Sequence, residues 1–108
     1  MRPDQTRGHL DELLLATLEQ EPAHGYLLIE RLRERSGGAF DLPEGTVYPA
    51  LHRLERDGQL ESAWDDGAGR RRRVYRITER GRGTLAGRRR DWAAFSSALS
   101  TAIGDGHA

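Results

Sequence analysis

The apolar positions of this 108-residue chain keep a helical period through its first half, switch to strand alternation, then become helical again. Leu10, Leu13, Leu14 and Leu18 share one helical face within residues 9–20. Glu21-Pro22 ends that helix, because the residue before a proline is pushed out of the helical region. A second helix opens at His24-Gly25 and runs to about Ser36, with Leu28, Ile29 and Leu32 facing inward. Ser36-Gly37-Gly38 stops it. The link that follows carries Phe40 and Leu42, expected to plug the core. In residues 43–58, Val47, Ala50, Leu51 and Leu54 fall at i, i+3, i+4 and i+7, the stripe of one helical face, and Asp57-Gly58 supplies the stop. Pro49 lacks an N–H and weakens a helix beyond its first turn, so this helix is expected either to begin near residue 44 or 45 or to tolerate the strain for the fit of its outer face.

After Gly58 the period changes to two. Leu60, Ser62 and Trp64 alternate with Glu61, Ala63 and Asp65, residues 66–69 form a loop, and Arg72 to Thr78 alternate again, with Val74 opposing Tyr75 and Ile77. This predicts a two-stranded hairpin, which is marginal alone in water and has to pack on the helices. Three helices followed by a basic hairpin is the order of a winged helix-turn-helix, mostly α with a small β-hairpin as its wing. Thr78 is a suitable N-cap for a last helix ending near Ile103. Leu85, Trp92, Phe95, Leu99 and Ile103 recur along it at nearly heptad spacing. At ~1.5 Å per residue such a helix is roughly 35 Å long, longer than the domain beneath it. Gly81, Gly83 and Gly87 each cost it about 1 kcal/mol relative to alanine. A long, weakened helix with one apolar stripe calls for a second copy of the chain, making a homodimer. The expected organisation is a flexible arm (residues 1–8), a winged helix-turn-helix domain (9–78), a dimerisation helix (79–103) and a disordered tail (104–108).

Composition narrows the setting. The chain is 31% charged with a mean hydropathy of −0.75, and it contains no apolar run of membrane-spanning length, no signal-peptide core and no cysteine. Cytoplasm is the expected location, with no membrane partner. Net charge is zero, but its distribution is uneven. Residues 70–90 hold ten arginines against Glu79, a net of +9, whereas residues 1–69 carry a net of −7. That asymmetry is what an interaction surface leaves. All seventeen cations are arginine. Planar forks for phosphate or base recognition are therefore available, although genomic base composition produces the same usage.

The face opposite the apolar stripe of residues 43–58 carries Thr46, Pro49, His52, Arg53 and Arg56, with Tyr48 beside it. Such a helix can lie in a DNA major groove with its first turns on base edges and its arginines on phosphates. Arg53 is suited to a guanine or to a phosphate, and Tyr48 to a phosphate or to packing under the wing. Arg70, Arg71, Arg72 and Arg73 load the wing, alternation placing Arg71 and Arg73 on one side. Arg70 and Arg71, near the tip, are the ones expected to approach the DNA backbone or minor groove. Trp92 with its symmetry mate is suited either to an aromatic slot for a flat ligand or, with Phe95, to plain packing in a dimer core. His9 and Glu12 are spaced like metal ligands but lack a third. No nucleophile–base pair, paired acidic site or cofactor loop is present, so no cofactor, no metal and no enzymatic activity are expected.

The assembled motifs resemble the PadR family of bacterial transcriptional regulators. His24-Gly25-Tyr26 is similar to the opening of the family's second helix. Gly45-Thr46-Val47-Tyr48-Pro49-Ala50-Leu51-His52-Arg53-Leu54-Glu55 is similar to its recognition helix. Gly69-Arg70-Arg71-Arg72-Arg73-Val74-Tyr75-Arg76-Ile77-Thr78 resembles its wing, and Gly81 sits where the family has a glycine after the wing. The likeness spans about residues 9–103 and matches short-tailed members with a single C-terminal helix. It departs at Pro43-Glu44, where a Ser-Pro cap is common, and in the glycines of the last helix. The resemblance implies a homodimer binding a pseudo-palindromic operator in double-stranded DNA, usually as a repressor. The candidate contacts are then Thr46, Tyr48, Pro49, His52, Arg53 and Arg70 to Arg72 at the DNA, and Leu85, Trp92, Phe95 and Leu99 at a dimer or ligand surface. A small aromatic or drug-like effector often releases such proteins from DNA. The competing expectation is a winged-helix protein–protein interaction module whose arginines meet acidic side chains, since fold does not dictate function.

Overall fold

The changes of period become four helices and a small antiparallel sheet in the computed structural model, which describes residues 9–104 apart from the side chain of Ala68. The expected arm (1–8) and, beyond Gly104, the expected tail lie outside the described residues. In order the elements are α1 (Leu10–Leu18), β1 (Ala23–His24), α2 (Gly25–Arg35), α3 (Glu44–Arg56), β2 (Leu60–Asp65), β3 (Arg72–Ile77) and α4 (Glu79–Ile103). A single 3-10 turn, Gly67–Gly69, joins β2 to β3.

The sheet differs from the expected hairpin by one strand. Its order is β1-β3-β2, with Ala23 opposite Tyr75 and His24 opposite Val74. Two residues are too few to show a period in sequence; β1 exists because the α1–α2 connection lies along the free edge of β3. Leu60 pairs with Ile77, Ser62 with Tyr75 and Trp64 with Arg73, so the inward face of the wing becomes polar toward its tip.

Helix ends follow local chemistry. Nδ1 of His24 accepts from the backbone N–H of Leu27 at 3.2 Å and caps α2. At its other end Gly37 (φ 63°) and Gly38 (φ 89°) turn the chain back, Gly38 N–H donating to the Arg33 carbonyl at 2.8 Å. Helix α3 starts at Glu44, whose carboxylate sits in the positive first turn. Pro49 lies inside α3 on its exposed side, where water can reach the carbonyl left without an N–H. The Thr78 hydroxyl accepts from Gly81 N–H at 3.1 Å and donates to the Gly58 carbonyl at 2.6 Å, tying α4 to the turn after α3.

The core gathers Leu14, Leu15 and Leu18 of α1, Leu28 of α2, Val47, Ala50, Leu51 and Leu54 of α3, and Leu60, Tyr75 and Ile77 of the sheet. Leu42 packs against it, and Phe40 is half-buried. Leu85 joins this core at 2% exposure. It was expected on a partner-facing stripe with Trp92, Phe95 and Leu99, but the start of α4 lies on its own domain. The helix then outruns that domain, giving the chain a longest dimension of 58 Å against 27 and 22 Å across.

Gly81 is required sterically: a Cβ there would lie 2.2 Å from the Gln59 carbonyl oxygen and 2.8 Å from the Ile77 side chain. Gly83 has nothing within 4 Å of the same position. Gly81→Ala is expected to lose at least ~1–3 kcal/mol in urea unfolding by overpacking. Gly83→Ala is expected to gain about 0.5–1 kcal/mol by helix propensity. Equal midpoints for the two variants would contradict the packing described.

Candidate nucleic-acid interface

Burying the α3 stripe turns the opposite face outward. Thr46, Pro49, His52 and Arg56 are exposed, and Arg53 and Tyr48 are half-buried. Tyr48 lies against the start of α2: a Cβ at Gly25 would sit 2.6 Å from its ring and hydroxyl. The glycine of His24-Gly25-Tyr26 thus makes room for the tyrosine of α3. Arg53 is clamped rather than free. Its guanidinium forks onto the Asp11 carboxylate of α1, with Nη1–Oδ2 at 3.0 Å and Nη2 bonded to Oδ1, and this contact raises the Arg53 pKa above its ordinary value.

The wing arginines are separated by partner. The guanidinium groups of Arg71 and Arg73 lie 4.6 and 5.3 Å from the centroid of Trp64, itself 53% exposed, in cation–π contact. Arg73 also approaches Glu55 of α3 at 3.6 Å, and Glu55 accepts from the Ser62 hydroxyl at 2.5 Å. Arg72 points to the other side, its Nη1 lying 2.8 Å from His24 Nε2. Arg70, Arg71 and Arg72 are exposed. Together with Arg73, His24, Gly25, Tyr26 and Tyr48 they line an open cavity of about 450 Å³ between wing and helices, with no acidic side chain in its lining.

The basic run of residues 70–90 does not form one surface. Arg89 forks onto Glu19, the C-cap of α1, at 2.9 and 3.0 Å, which raises the Arg89 pKa and lowers that of Glu19, and Arg88 approaches Glu12 at 3.6 Å. These α4 arginines are spent on α1, and the wing keeps its own. Trp92, Phe95, Leu99 and Ile103 are 58, 58, 45 and 72% exposed on the projecting part of α4. The Trp92 ring meets His9 edge-on at 5.8 Å and Phe95 at 6.0 Å.

The structure therefore brings Tyr48 and Arg70 to Arg72 around one cavity, places Thr46, Pro49 and His52 on the open α3 face beside it, and leaves Trp92, Phe95 and Leu99 far out on α4. Sequence reasoning missed His24, Tyr26 and Trp64 as members of the basic face, and Asp11 as the partner of Arg53. The alternation of β2 placed Trp64 on the Arg73 side and was the one available signal. The described residues contain no cluster of three or more metal-ligating side chains and no helix long and apolar enough to cross a membrane.

Three packed helices, a wing and a basic face bounded by α3 and that wing define a winged helix-turn-helix regulator. Residues 14–87 match the model of the transcriptional regulator PadR-like family. The transcriptional regulator Rv3488 of Mycobacterium tuberculosis is 46% identical over 67 residues, covering 62% of this chain and 60% of that protein. A PadR family transcriptional regulator from Eggerthella lenta superposes with a TM-score of 0.82 at 31% identity, covering 94% of this chain and 88% of that one. Another from hypervirulent Clostridium difficile gives 0.80 at 30% identity, with 90 and 100% covered. The chain belongs to the PadR-like family of transcriptional regulators.

Burial, Arg72 and Arg31 lower the His24 pKa below its ordinary 6.5, against a smaller opposing effect of Glu30. A depressed folded pKa means that the unfolded chain takes up the proton first as pH falls. The His24 contribution to stability is then complete above pH 6.5 and is lost on acidification. Melting temperatures measured between about pH 8 and about pH 5 are expected to fall more in the wild type than in His24→Asn.

Proposed function

We propose that this chain is a homodimeric, sequence-specific DNA-binding repressor that α3 and the wing seat on a pseudo-palindromic operator. The observation that carries this reading is the acid-free cavity and the arginine-lined wing beside the exposed outer face of α3. Thr46, His52 and the Pro49 ring face the major groove, Arg53 is steered by Asp11 along its wall, and Arg70 to Arg72 meet phosphates. Tyr48 packs on Gly25 and turns its hydroxyl toward the backbone. The exposed stripe Trp92, Phe95, Leu99 and Ile103 is covered by the same stripe of a second copy, which removes large apolar side chains from water and spaces two recognition helices about one DNA turn apart. The half-exposed Trp92 face at that junction suits a planar aromatic effector that changes the spacing. The protein acts by binding, not by catalysis, and works in the cytoplasm.

Salt-titrated binding to the chain's own upstream DNA, with a scrambled duplex of equal length as control, tests the reading. Selective binding with a steep salt slope is expected; equal weak binding to both duplexes would favour a protein partner for the wing. Arg71→Ala is expected to weaken all sequences alike and to lower the salt slope by about one; Arg53→Ala should cost ~1–3 kcal/mol at a single base position if its guanidinium leaves Asp11 for a base, and weaken all sequences alike if it stays on the groove wall. In sedimentation, the wild type is expected as a dimer and Leu99→Glu as a folded monomer. A dimeric Leu99→Glu would place the interface elsewhere.

A further inference from the structure

The cap of α2 and the wing meet at one imidazole, and its two nitrogens face incompatible demands. Nδ1 of His24 lies 3.2 Å from the Leu27 N–H, and Nε2 lies 2.8 Å from Nη1 of Arg72. A backbone N–H and a guanidinium both donate, and neither can accept. A neutral imidazole has a single lone-pair nitrogen, so it can answer only one of them. Neutrality is the favoured state here, because burial and the charges of Arg72 and Arg31 oppose protonation.

An anion between the two groups leaves that lone pair to the cap, although the Arg72 contact is the shorter of the two. Leu27 N–H is one of the first-turn donors that an α-helix leaves without a partner, and His24 is the residue placed to satisfy it. Nε2 then carries the proton and is aimed at a second donor. Both groups line the cavity that also holds Tyr26, Tyr48 and the remaining wing arginines, and no carboxylate in that lining can accept from them. The positive first turn of the eleven-residue α2 opens onto the same space. What the arrangement lacks is an acceptor.

We propose that His24 Nε2–H and the Arg72 guanidinium together form a phosphate oxyanion site, whose oxygen accepts from both, and that its occupant is one phosphodiester of the DNA backbone. The proposal rests on the DNA-binding reading and deepens it, adding a clamp at the start of α2 to the contacts of α3 and the wing tip. With the anion in place, the helix cap, the imidazole proton and the arginine are all satisfied at once. Free phosphate offers the same chemistry as the backbone.

The test measures binding of the full-length chain to upstream and scrambled duplexes across a salt series, for wild type, His24→Asn, Arg72→Ala and the double variant. Asparagine caps helices well, so His24→Asn keeps the cap and removes the Nε2 donor; thermal melting checks that the fold is retained. Each single substitution is expected to weaken both duplexes by about tenfold, as loss of a hydrogen bond to a charged group does. The double variant should lose less than the product of the two, because both groups hold one oxygen. Unchanged affinity of His24→Asn, with Arg71→Ala weakened, overturns the site while leaving the DNA reading intact. Wild-type protein without salt-dependent DNA binding fails that reading instead, and inorganic phosphate then becomes the probe. A phosphate-induced shift of the His24 ring resonances that disappears in Arg72→Ala keeps the oxyanion site with free phosphate as its ligand. No shift overturns it.

Discussion

Everything on the basic face depends on how completely α3 is anchored. Val47, Leu51 and Leu54 are fully buried and Ala50 nearly so. Each large aliphatic side chain taken out of water contributes on the order of 1.5–3 kcal/mol. A helix held along one stripe cannot roll, so the residues at intervening positions are presented outward at fixed angles. Glu55, at the edge of that stripe, then reaches both Ser62 and Arg73, so the pose of α3 is passed to the wing by contact. The wing needs this support, because a two-stranded ribbon is marginal alone; the β1 edge and Tyr75, buried beneath it, supply the rest.

The arginines illustrate how one residue type is divided among tasks by its neighbours. Arg53 meets Asp11, Arg89 meets Glu19, and Arg88 approaches Glu12, so the acidic helix α1 neutralises cations from α3 and α4. The wing arginines have an indole, an imidazole and two longer carboxylate contacts as company: Arg71 lies 3.8 Å from Asp66 and Arg73 3.6 Å from Glu55. Stacking on Trp64 orders a guanidinium without consuming its charge or its donors, which an acid would do. A chain of zero net charge can in this way keep a basic face, with its acids placed elsewhere.

Helix α4 has two characters along one length. Around Gly81 and Leu85 it is part of the domain, close enough to the turn after α3 that no Cβ fits at Gly81. From Trp92 onward it leaves that domain and carries large apolar side chains into solvent. Gly83 and Gly87 have no such steric reason, since ordinary space surrounds both positions. They weaken the helix near the point where it departs from the body.

Sequence alone was sufficient for the helices, the wing and the outward residues of α3, because those follow from period, caps and glycine stops that act within a few residues. The 3.6-residue spacing of Val47, Ala50, Leu51 and Leu54 and the two-residue spacing around Trp64 and Tyr75 are local signals of this kind. What periodicity could not hold was any relation between distant segments. Strand β1 is two residues long and owes its existence to β3, more than forty residues later, so no pattern in Ala23-His24 announces it. Leu85 shares a spacing with Trp92 yet lies in a different environment, because the length of the body beneath α4, not the helix period, decides where burial ends. The pairing of Arg53 with Asp11, forty-two residues apart, and the meeting of Arg72 with His24, forty-eight apart, required the tertiary fold to bring the partners together.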